Sequence, residues 1–354
     1  MLEQADLDEI RKVFSFYEVR GEGNADIFFG EPLVDPNALL GALYPHFSRR
    51  KKVVSLERRT GEVALVVKDA RPDNVWINVA LALTTLATTT FAGAMMYGVD
   101  VFKDPLLAYM GLPFSLAIMA VLGSHELGHY IVSRKHGIDA TLPYFIPFPI
   151  PPIGTMGAII RQKGPVPNRK ALFDVGISGP LVGLAVAIVI TAVGLMLPAP
   201  VITAQPGDVT YFQLQTPLLF DFLAAIVRPG ANLESINPIA FAGWVGMLVT
   251  VLNMIPIGQL DGGHVARAIL GGWADKLSRV LPMVILGFGI YSTFVMGAQG
   301  GMWIFWGLLT AFMGNSEHPK PLEDAENIGL PRALLGLIGF GLTILCFTPF
   351  PIST

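Results

Sequence analysis

The pattern of apolar and polar positions divides the chain into two parts, with a change of character near residue 74. Before it, short apolar stretches alternate with polar ones, and after it long apolar runs dominate. A helix of about 20 apolar residues crosses the roughly 30 Å of hydrocarbon in a bilayer. Runs that reach or approach this length lie near residues 75–98, 106–133, 171–197, 237–257, 277–297, 301–314 and 332–350. The predicted fold class is therefore an α-helical polytopic membrane protein with six or seven transmembrane helices.

Residues 1–73 are predicted to form a small soluble α+β domain. Apolar residues at helical spacing, such as Leu39, Leu43 and Phe47, indicate a helix, and a shorter helix precedes it. Alternating segments indicate strands near 14–20, 25–29, 53–58 and 62–68, with turns at 21–24 and 60–61. The resulting order α-β-β-α-β-β is typical of a two-layer module. Its role stays open between binding a ligand and capping the membrane part to modulate access or stability.

Composition supports the membrane prediction and excludes some classes of function. Of the 354 residues, 52% are hydrophobic and only 14% are charged, whereas soluble domains carry about 25% charged residues. The net charge of −3 gives no reason to expect a nucleic-acid partner. The single cysteine excludes an internal disulfide framework and a cysteine-based zinc site.

Basic residues predict the orientation in the membrane. They cluster before the first apolar run, after the second and before the third, at residues 49–59, 134–135 and 161–170. Loops rich in Lys and Arg stay on the cytosolic side, so the domain 1–73 is expected in the cytosol. Because the N-terminus resembles neither a signal peptide nor a transit peptide, a multi-pass location in a prokaryotic plasma membrane is expected.

The clearest chemical signal is His125-Glu126-Leu127-Gly128-His129, which interrupts an otherwise apolar run. Residues four apart share one face of a helix, so both imidazoles point the same way. Two such histidines can bind one zinc ion, with the adjacent Glu126 as general base. Ionisable groups inside a membrane segment are costly and mark functional sites.

A third metal ligand is predicted at Asp261. Tetrahedral catalytic zinc takes three protein ligands and keeps one open position. By the predicted topology, the span 237–257 brings Asp261 to the cytosolic half of the membrane, where the two histidines lie. His264 is expected outside the ligand set, as a supporting or surface group, since a fourth ligand would close the site.

Asn253 lies two helical turns before Asp261. A neutral donor near the metal could bond a substrate carbonyl or a developing oxyanion. A hydrogen bond between helices in lipid is the alternative role for its side chain. Asn253 is therefore the second candidate catalytic residue.

The linker 141–170 is rich in proline, which forbids a regular helix. Within it lies a short extended apolar segment whose residues are candidate substrate-binding positions: Gly154, Thr155, Met156, Gly157, Ala158 and Ile159. A strand beside the site could pair with an unwound substrate by edge addition. The alternative is a re-entrant loop that seals the cavity.

These motifs together resemble the site-2 protease family of intramembrane zinc metalloproteases, of the peptidase M50 type. The resemblance covers roughly residues 106–265, a core of three helices, and includes the glycine-containing strand and Ser178-Gly179-Pro180. The N-terminal domain and the long apolar C-terminal half resemble the archaeal, cyanobacterial and plant EGY-like branch. That branch's plant members carry Gly-Asn-Leu-Arg where this chain has Gly30-Glu31-Pro32-Leu33.

The resemblance implies a zinc metalloendopeptidase domain over residues 74–354. His125, His129 and Asp261 would hold one Zn²⁺ per chain, and Glu126 would act as the base. The partners implied are the lipid bilayer and membrane-anchored proteins, whose transmembrane segments are cut in regulated intramembrane proteolysis. A non-proteolytic membrane metal-binding protein, such as a transporter or an inactive chaperone-like relative, is the alternative. The polar intramembrane groups cluster at one level and Glu126 is present, and both observations favour the protease.

Overall fold

The computed structural model describes residues 2–59, 62–69, 74–163, 165–200, 213–230, 233, 235–297, 299–314, 321, 324 and 327–353. These residues form a small sheet with two helices, followed by a set of apolar helices that hold a β-hairpin. The turn predicted at residues 60–61 lies outside the described residues, as does the predicted domain boundary near residue 73.

The N-terminal part is built from two helices and four strands. In chain order these are α1 (Gln4–Val13), β1 (Phe14–Glu22), β2 (Ala25–Pro32), α2 (Pro36–Arg49), β3 (Lys52–Arg59) and β4 (Glu62–Asp69). The order is the α-β-β-α-β-β that the hydrophobic pattern indicated. All strand pairs are antiparallel, and the strands lie side by side as β1-β2-β4-β3.

Both faces of this sheet are covered. Phe14 and Phe28 are 0% and 1% exposed in the cluster that packs against the two helices. On the other face Ile27 is 1% exposed. There Arg59 of β3 forms an ion pair with Glu22 of β1 at 2.8 Å, which joins the two edge strands of the sheet. The apolar centre of the sheet is therefore closed off from solvent on both sides.

The remaining elements begin with the first apolar helix. In chain order they are α3 (Val75–Met96), a 3₁₀ helix (Pro105–Gly111), α4 (Leu112–Lys135), β5 (Tyr144–Pro147), β6 (Thr155–Ile159), α5 (Arg169–Met196), β7 (Gln213–Leu214), α6 (Leu218–Val227), α7 (Pro238–Asn253), α8 (Asp261–Leu270), α9 (Trp273–Phe294), α10 (Gly301–Gly314), α11 (Leu330–Cys346) and β8 (Ile352–Ser353). The strands β5 and β6 pair antiparallel, and so do β7 and β8.

Four helical segments are long and apolar enough to cross a membrane. They are Val75–Met96, Pro105–Lys135, Arg169–Met196 and Trp273–Phe294, and all four coincide with predicted spans. The predicted spans 237–257, 301–314 and 332–350 coincide with α7, α10 and α11, which have 16, 14 and 17 residues. At 1.5 Å per residue these are about 21–26 Å long, shorter than the hydrocarbon layer. The protein is thus a mostly helical membrane protein, and the count of six or seven spans stays a prediction.

Small residues let α4, α5 and α7 approach closely. A Cβ atom at Gly128 of α4 would lie 2.8 Å from the carbonyl oxygen of Ser178 in α5. A Cβ atom at Gly246 of α7 would lie 2.6 Å from Val121 of α4 and 2.7 Å from Ala187 of α5. Such close approach through glycine is the usual packing of helices in lipid. These three helices form the scaffold of the candidate site.

The β5–β6 hairpin is fixed to α3. The side-chain amide of Asn78 donates to the carbonyl oxygens of Leu142 and Pro143 at 2.9 and 3.0 Å. At Gly154, a Cβ atom would lie 2.6 Å from the carbonyl oxygen of Thr88. The first apolar helix therefore holds the hairpin against the core.

The end of α4 is a junction between several parts of the chain. Tyr44 of α2 donates from its hydroxyl to the carbonyl oxygen of Gly137 at 3.1 Å. His136, the residue after α4, lies 3.0 Å from Asp174 of α5. Arg332 of α11 forms two hydrogen bonds to the same carboxylate, at 2.7 and 2.8 Å. Helix α2 thus contacts the segment that follows α4, and α11 is linked to this segment through Asp174 of α5.

Candidate metal centre

The two histidines of the motif lie on one face of α4 and are almost fully buried. His125 and His129 are 5% and 6% exposed, and their Nε2 atoms are 3.1 Å apart. One helical turn separates the two residues, which is why the rings meet. Both rings turn toward α5 and α8.

Asp261 reaches the same point from α8. It is the first residue of that helix, after a turn of residues 254–260 that follows the end of α7. Its Oδ2 atom lies 3.1 Å from Nε2 of His125 and 3.2 Å from Nε2 of His129. Gly262 and Gly263 let the start of α8 pack directly on the backbone of this turn. The three predicted ligands are thus brought together, although they are 132 and 136 residues apart in sequence.

The backbone of α5 orients the imidazole of His129. Its Nδ1 atom lies 2.8 Å from the carbonyl oxygen of Val175, and a carbonyl oxygen can only accept a hydrogen bond. Nδ1 therefore donates this hydrogen bond, and Nε2, which faces Asp261, is the nitrogen that would bind a metal ion. Sequence reasoning missed Val175, because a backbone carbonyl leaves no signal in the sequence.

Two glycines of α5 make room for the imidazoles. A Cβ atom at Gly183 would lie 3.0 Å from Cβ and 3.1 Å from Nδ1 of His125, and one at Gly179 would overlap the ring of His129. The glycines are four residues apart, like the histidines that they face. The small residues of α5 thus let this helix pack closely against the helix that carries the two histidines.

The donor set fits a tetrahedral metal ion. Zinc–nitrogen and zinc–oxygen distances of about 2.0–2.1 Å place tetrahedral ligand atoms about 3.3 Å apart, close to the observed 3.1–3.2 Å. Two imidazole nitrogens and a carboxylate oxygen that converge in this way repel one another unless a cation or proton lies among them. Among the described residues, His125, His129 and Asp261 form the one group of three or more His, Cys, Asp or Glu side chains placed to hold a metal ion.

Glu126 lies beside this group and is held by the strand region. It is 9% exposed, and its Oε2 atom accepts a hydrogen bond of 2.8 Å from the backbone N–H of Ile160. Ile160 directly follows β6, so the end of the hairpin is fixed to the carboxylate. Sequence analysis did not single out Ile160, because the group that acts is its backbone amide.

A cavity of about 390 Å³ connects these groups. Besides His125, Glu126, His129 and Asp261, it is lined by Ala158, Ile159, Ile160, Gln162, Val175, Asn253, Gln259 and His264. Asn253, Ala158 and Ile159 are predicted site residues and lie at this cavity. Gln162 and Gln259 were not predicted, since single glutamines outside a motif carry no distinctive pattern.

The other predicted strand residues lie away from the cavity lining. Gly154 packs on α3, and the hydroxyl of Thr155 donates to the carbonyl oxygen of Ile146 at 2.8 Å. Met156 is 69% exposed, and Gly157 pairs with Ile146 in the hairpin. Only the C-terminal end of the predicted segment therefore reaches the candidate centre.

Comparison with known proteins agrees with this arrangement. The sequence profile described as Peptidase family M50 matches residues 113–296, more than half of the chain. The chain therefore belongs to peptidase family M50, and the resemblance drawn from its motifs is confirmed.

Its relatives include plant proteins. The probable zinc metalloprotease EGY1, chloroplastic, of Oryza sativa subsp. japonica is 30% identical over 247 residues, 67% of this chain and 40% of its own length. The probable zinc metalloprotease EGY2, chloroplastic, of Arabidopsis thaliana is 31% identical over 280 residues, 77% of this chain and 48% of its own length. The probable zinc metallopeptidase EGY3, chloroplastic, of Arabidopsis thaliana is 25% identical over 393 residues, 98% of this chain and 66% of its own length.

The chain spans about half the length of the curated relatives it matches. No solved structure matches it. The names of these relatives place them in chloroplasts and give no support to the expected prokaryotic plasma membrane, whereas the four apolar helices and the family indicate a membrane location.

Proposed function

We propose that the protein is an intramembrane zinc endopeptidase that cuts transmembrane segments of membrane-anchored proteins. The observation that carries this proposal is the convergence of His125, His129 and Asp261 at 3.1–3.2 Å, with Glu126 on the same helix and a cavity beside them. The relatives are named as probable zinc metalloproteases, which supports the same conclusion.

His125, His129 and Asp261 would hold one zinc ion per chain. Three protein ligands leave the fourth tetrahedral position free, as in catalytic rather than structural sites. Zinc bound there would polarise a peptide carbonyl and make a water molecule more acidic. The hydrogen bond from Nδ1 of His129 to Val175 suits this role because it leaves Nε2 as the nitrogen that would bind zinc.

Glu126 is the proton carrier in this proposal. Its carboxylate takes a proton from the attacking water and passes it to the nitrogen of the breaking peptide bond. The water oxygen bonds to the carbonyl carbon, the carbon–nitrogen bond breaks, and an amine and a carboxylic acid result. The hydrogen bond from Ile160 occupies Oε2, which orients the carboxylate and leaves Oε1 for the proton.

The substrate would bind in extended form along β6. A helix keeps its backbone amides bonded internally, so a transmembrane segment must unwind before it is cut. One edge of β6 is paired with β5, and Ala158 and Ile159 lie at the cavity. This supports edge addition of the substrate at Ala158 and Ile159, with Gly154 to Gly157 holding the hairpin in place. Sealing of the cavity by the same loop remains the alternative role of this segment.

Asn253 would help to hold the substrate. It lines the cavity together with the three ligands, which supports a hydrogen bond from its amide to a substrate carbonyl. The alternative role is a bond between helices.

The predicted topology determines where products are released. The ends of α4 and α5 nearest the site carry Arg134, Lys135, Arg169 and Lys170, and the positive-inside rule puts this side in the cytosol or its equivalent. The N-terminal domain would lie there too, since Tyr44 contacts the end of α4. Cleavage would therefore release the substrate's piece on this side.

The test is cleavage of a single-span substrate in liposomes by the wild type and by Glu126→Gln, with zinc measured in both. We expect both to hold zinc and the variant to cut at least 100-fold more slowly, the size of a general-base effect. Glu31→Gln, at an exposed position, is the matched control. A Glu126→Gln variant that cuts as fast as the control would refute the assignment, and zinc binding without cleavage of any substrate would favour the non-proteolytic alternative.

A further inference from the structure

We propose that Ser278 is a positioning residue for Asp261, acting through the backbone of the turn that precedes this ligand. The turn of residues 254–260, called here the ligand turn, connects α7 to α8. Ser278 belongs to α9, whereas the candidate site is built from α4, α5, α7 and α8. The proposal rests on the function proposed above, because it treats Asp261 as a zinc ligand.

The contact is a buried hydrogen bond. The backbone N–H of Gly258, in the middle of the ligand turn, donates to Oγ of Ser278 at 2.9 Å. Ser278 is 2% exposed, and Gly258 is buried as well. Gly258 has a φ of +48°, a conformation that glycine adopts readily and other residues rarely do. A buried N–H in such a turn requires an acceptor, and Ser278 supplies it.

The ligand turn transmits its position directly to Asp261. The N–H of Leu260, which precedes Asp261, donates to the carbonyl oxygen of Ile257 at 3.0 Å. Gly263 packs so closely that a Cβ atom there would overlap the carbonyl oxygen of Gly258. A shift of Gly258 would therefore move the first turn of α8, which carries Asp261.

The other end of α8 is held separately. Arg169 of α5 donates from Nε and from a terminal guanidinium nitrogen to the carbonyl oxygen of Ala268, at 3.0 and 2.6 Å. Such a cation stabilises a helix C-terminus but lies two turns from Asp261. The ligand end of α8 is held by the ligand turn with its bond to Ser278, and by the packing of Gly176 of α5, where a Cβ atom would lie 3.1 Å from the carbonyl oxygen of Asp261.

Loss of this hydroxyl should weaken zinc binding more than folding. In Ser278→Ala the buried N–H of Gly258 loses its acceptor, and the turn relaxes toward another partner. Removing a group that orients a metal ligand typically lowers metal affinity 10- to 100-fold. We expect the zinc dissociation constant to rise about tenfold, kcat to fall at limiting zinc, and KM for the substrate to stay unchanged.

The experiment measures zinc affinity by competition with a chromophoric chelator on the full chain in detergent, together with kcat, KM and thermal unfolding. Ser292→Ala is the matched control, since Ser292 lies on the same helix, is 0% exposed, and its hydroxyl has no hydrogen-bond partner among the described residues. Ser278→Thr keeps the hydroxyl and should restore wild-type zinc affinity. Ser278→Cys has a weaker acceptor, so its zinc affinity should lie between those of the wild type and Ser278→Ala. If Ser278→Ala does not fold, Ser278→Cys takes its place in the comparison.

The outcomes separate this proposal from the proposed function. The role of Ser278 is supported if the wild type binds zinc and is active, and if Ser278→Ala loses zinc affinity while the control does not. Equal affinities in Ser278→Ala and Ser292→Ala, or a loss that Ser278→Thr does not restore, would overturn the role of Ser278 alone. A wild-type protein without zinc affinity would overturn the proposed function and this proposal together.

Discussion

A methyl group at Gly179 should displace the imidazole of His129 from the metal centre. A Cβ atom built at this position overlaps three atoms of the ring. The ring cannot simply tilt away, because Nδ1 is bonded to the carbonyl oxygen of Val175 at 2.8 Å and the backbone of α5 packs closely on α4. Gly179→Ala should therefore leave α5 helical but move the imidazole of His129 away from the position in which it would bind zinc.

The expected loss of zinc affinity follows from these contacts. Overpacking a tight site costs about 1–3 kcal/mol, and breaking the bond to Val175 costs about 1 kcal/mol more. Zinc can bind only when His129 is in place, so the two costs together, roughly 2–4 kcal/mol, weaken zinc binding. At about 1.4 kcal/mol per factor of ten, zinc affinity should fall about 30- to 700-fold.

The assay is chelator competition for zinc on the purified full chain. Gly287→Ala in α9 is the matched control, because a Cβ atom there has nothing within 4 Å and the gain in helix propensity is the same. Zinc affinity of Gly179→Ala within about threefold of this control would refute the reasoning, since a 1 kcal/mol cost already exceeds that change. It would mean that His129 is not a ligand or that the helices adjust freely.

Two further predictions concern the substrate and the N-terminal domain. Asn253→Ala should raise KM for a single-span substrate about 2- to 10-fold, the effect of one hydrogen bond, with zinc content unchanged, as steady-state kinetics and metal analysis would test. The pKa of Asp6 lies below its usual 3.8, because burial raises it less than the N–H of Glu3 and the side chain of His46 lower it. The stabilisation by Asp6 is therefore complete above pH 3.8 and is lost as the pH falls through the lower folded-state value. Amide exchange in α1, corrected for intrinsic rates, should accelerate below about pH 4 in the wild type and be fast at all pH values in Asp6→Asn; a flat wild-type profile would contradict this.

The metal ligands were accessible to sequence reasoning because their geometry is local or follows from topology. Helical periodicity alone puts His125 and His129 on one face. Asp261 required the additional argument that the preceding span 237–257 ends on the side of the membrane where the two histidines lie. In the structure all three lie within hydrogen-bond distance of one another. Their role as ligands stays a prediction until metal is measured.

The groups that hold these side chains were not accessible. The N–H of Ile160 and the carbonyl oxygen of Val175 are backbone groups that nearly every residue has, so no residue type marks them. Gly179 was visible in the motif Ser178-Gly179-Pro180, but that Gly179 and Gly183 each face a particular imidazole depends on the register of α5 against α4. Register between helices is a tertiary property that sequence patterns do not encode directly.

In the membrane part, too, some elements could be predicted from the sequence and others could not. Long apolar runs identified the four longest helical segments. The helix α6 was not predicted, because it has only 10 residues, too few for a span, and lies in the connection between the predicted spans 171–197 and 237–257. Proline and glycine after Asn253 marked the break before α8, but the length of α8 depends on how its ends are held.

The most direct test of the account is the zinc content of the purified full chain, compared between the wild type and Asp261→Ala. Asp104→Ala, at an exposed position, serves as the control. We expect about one zinc ion per chain in the wild type and in the control, and almost none in Asp261→Ala. A wild type without zinc, or an Asp261→Ala variant that holds as much zinc as the control, would contradict it.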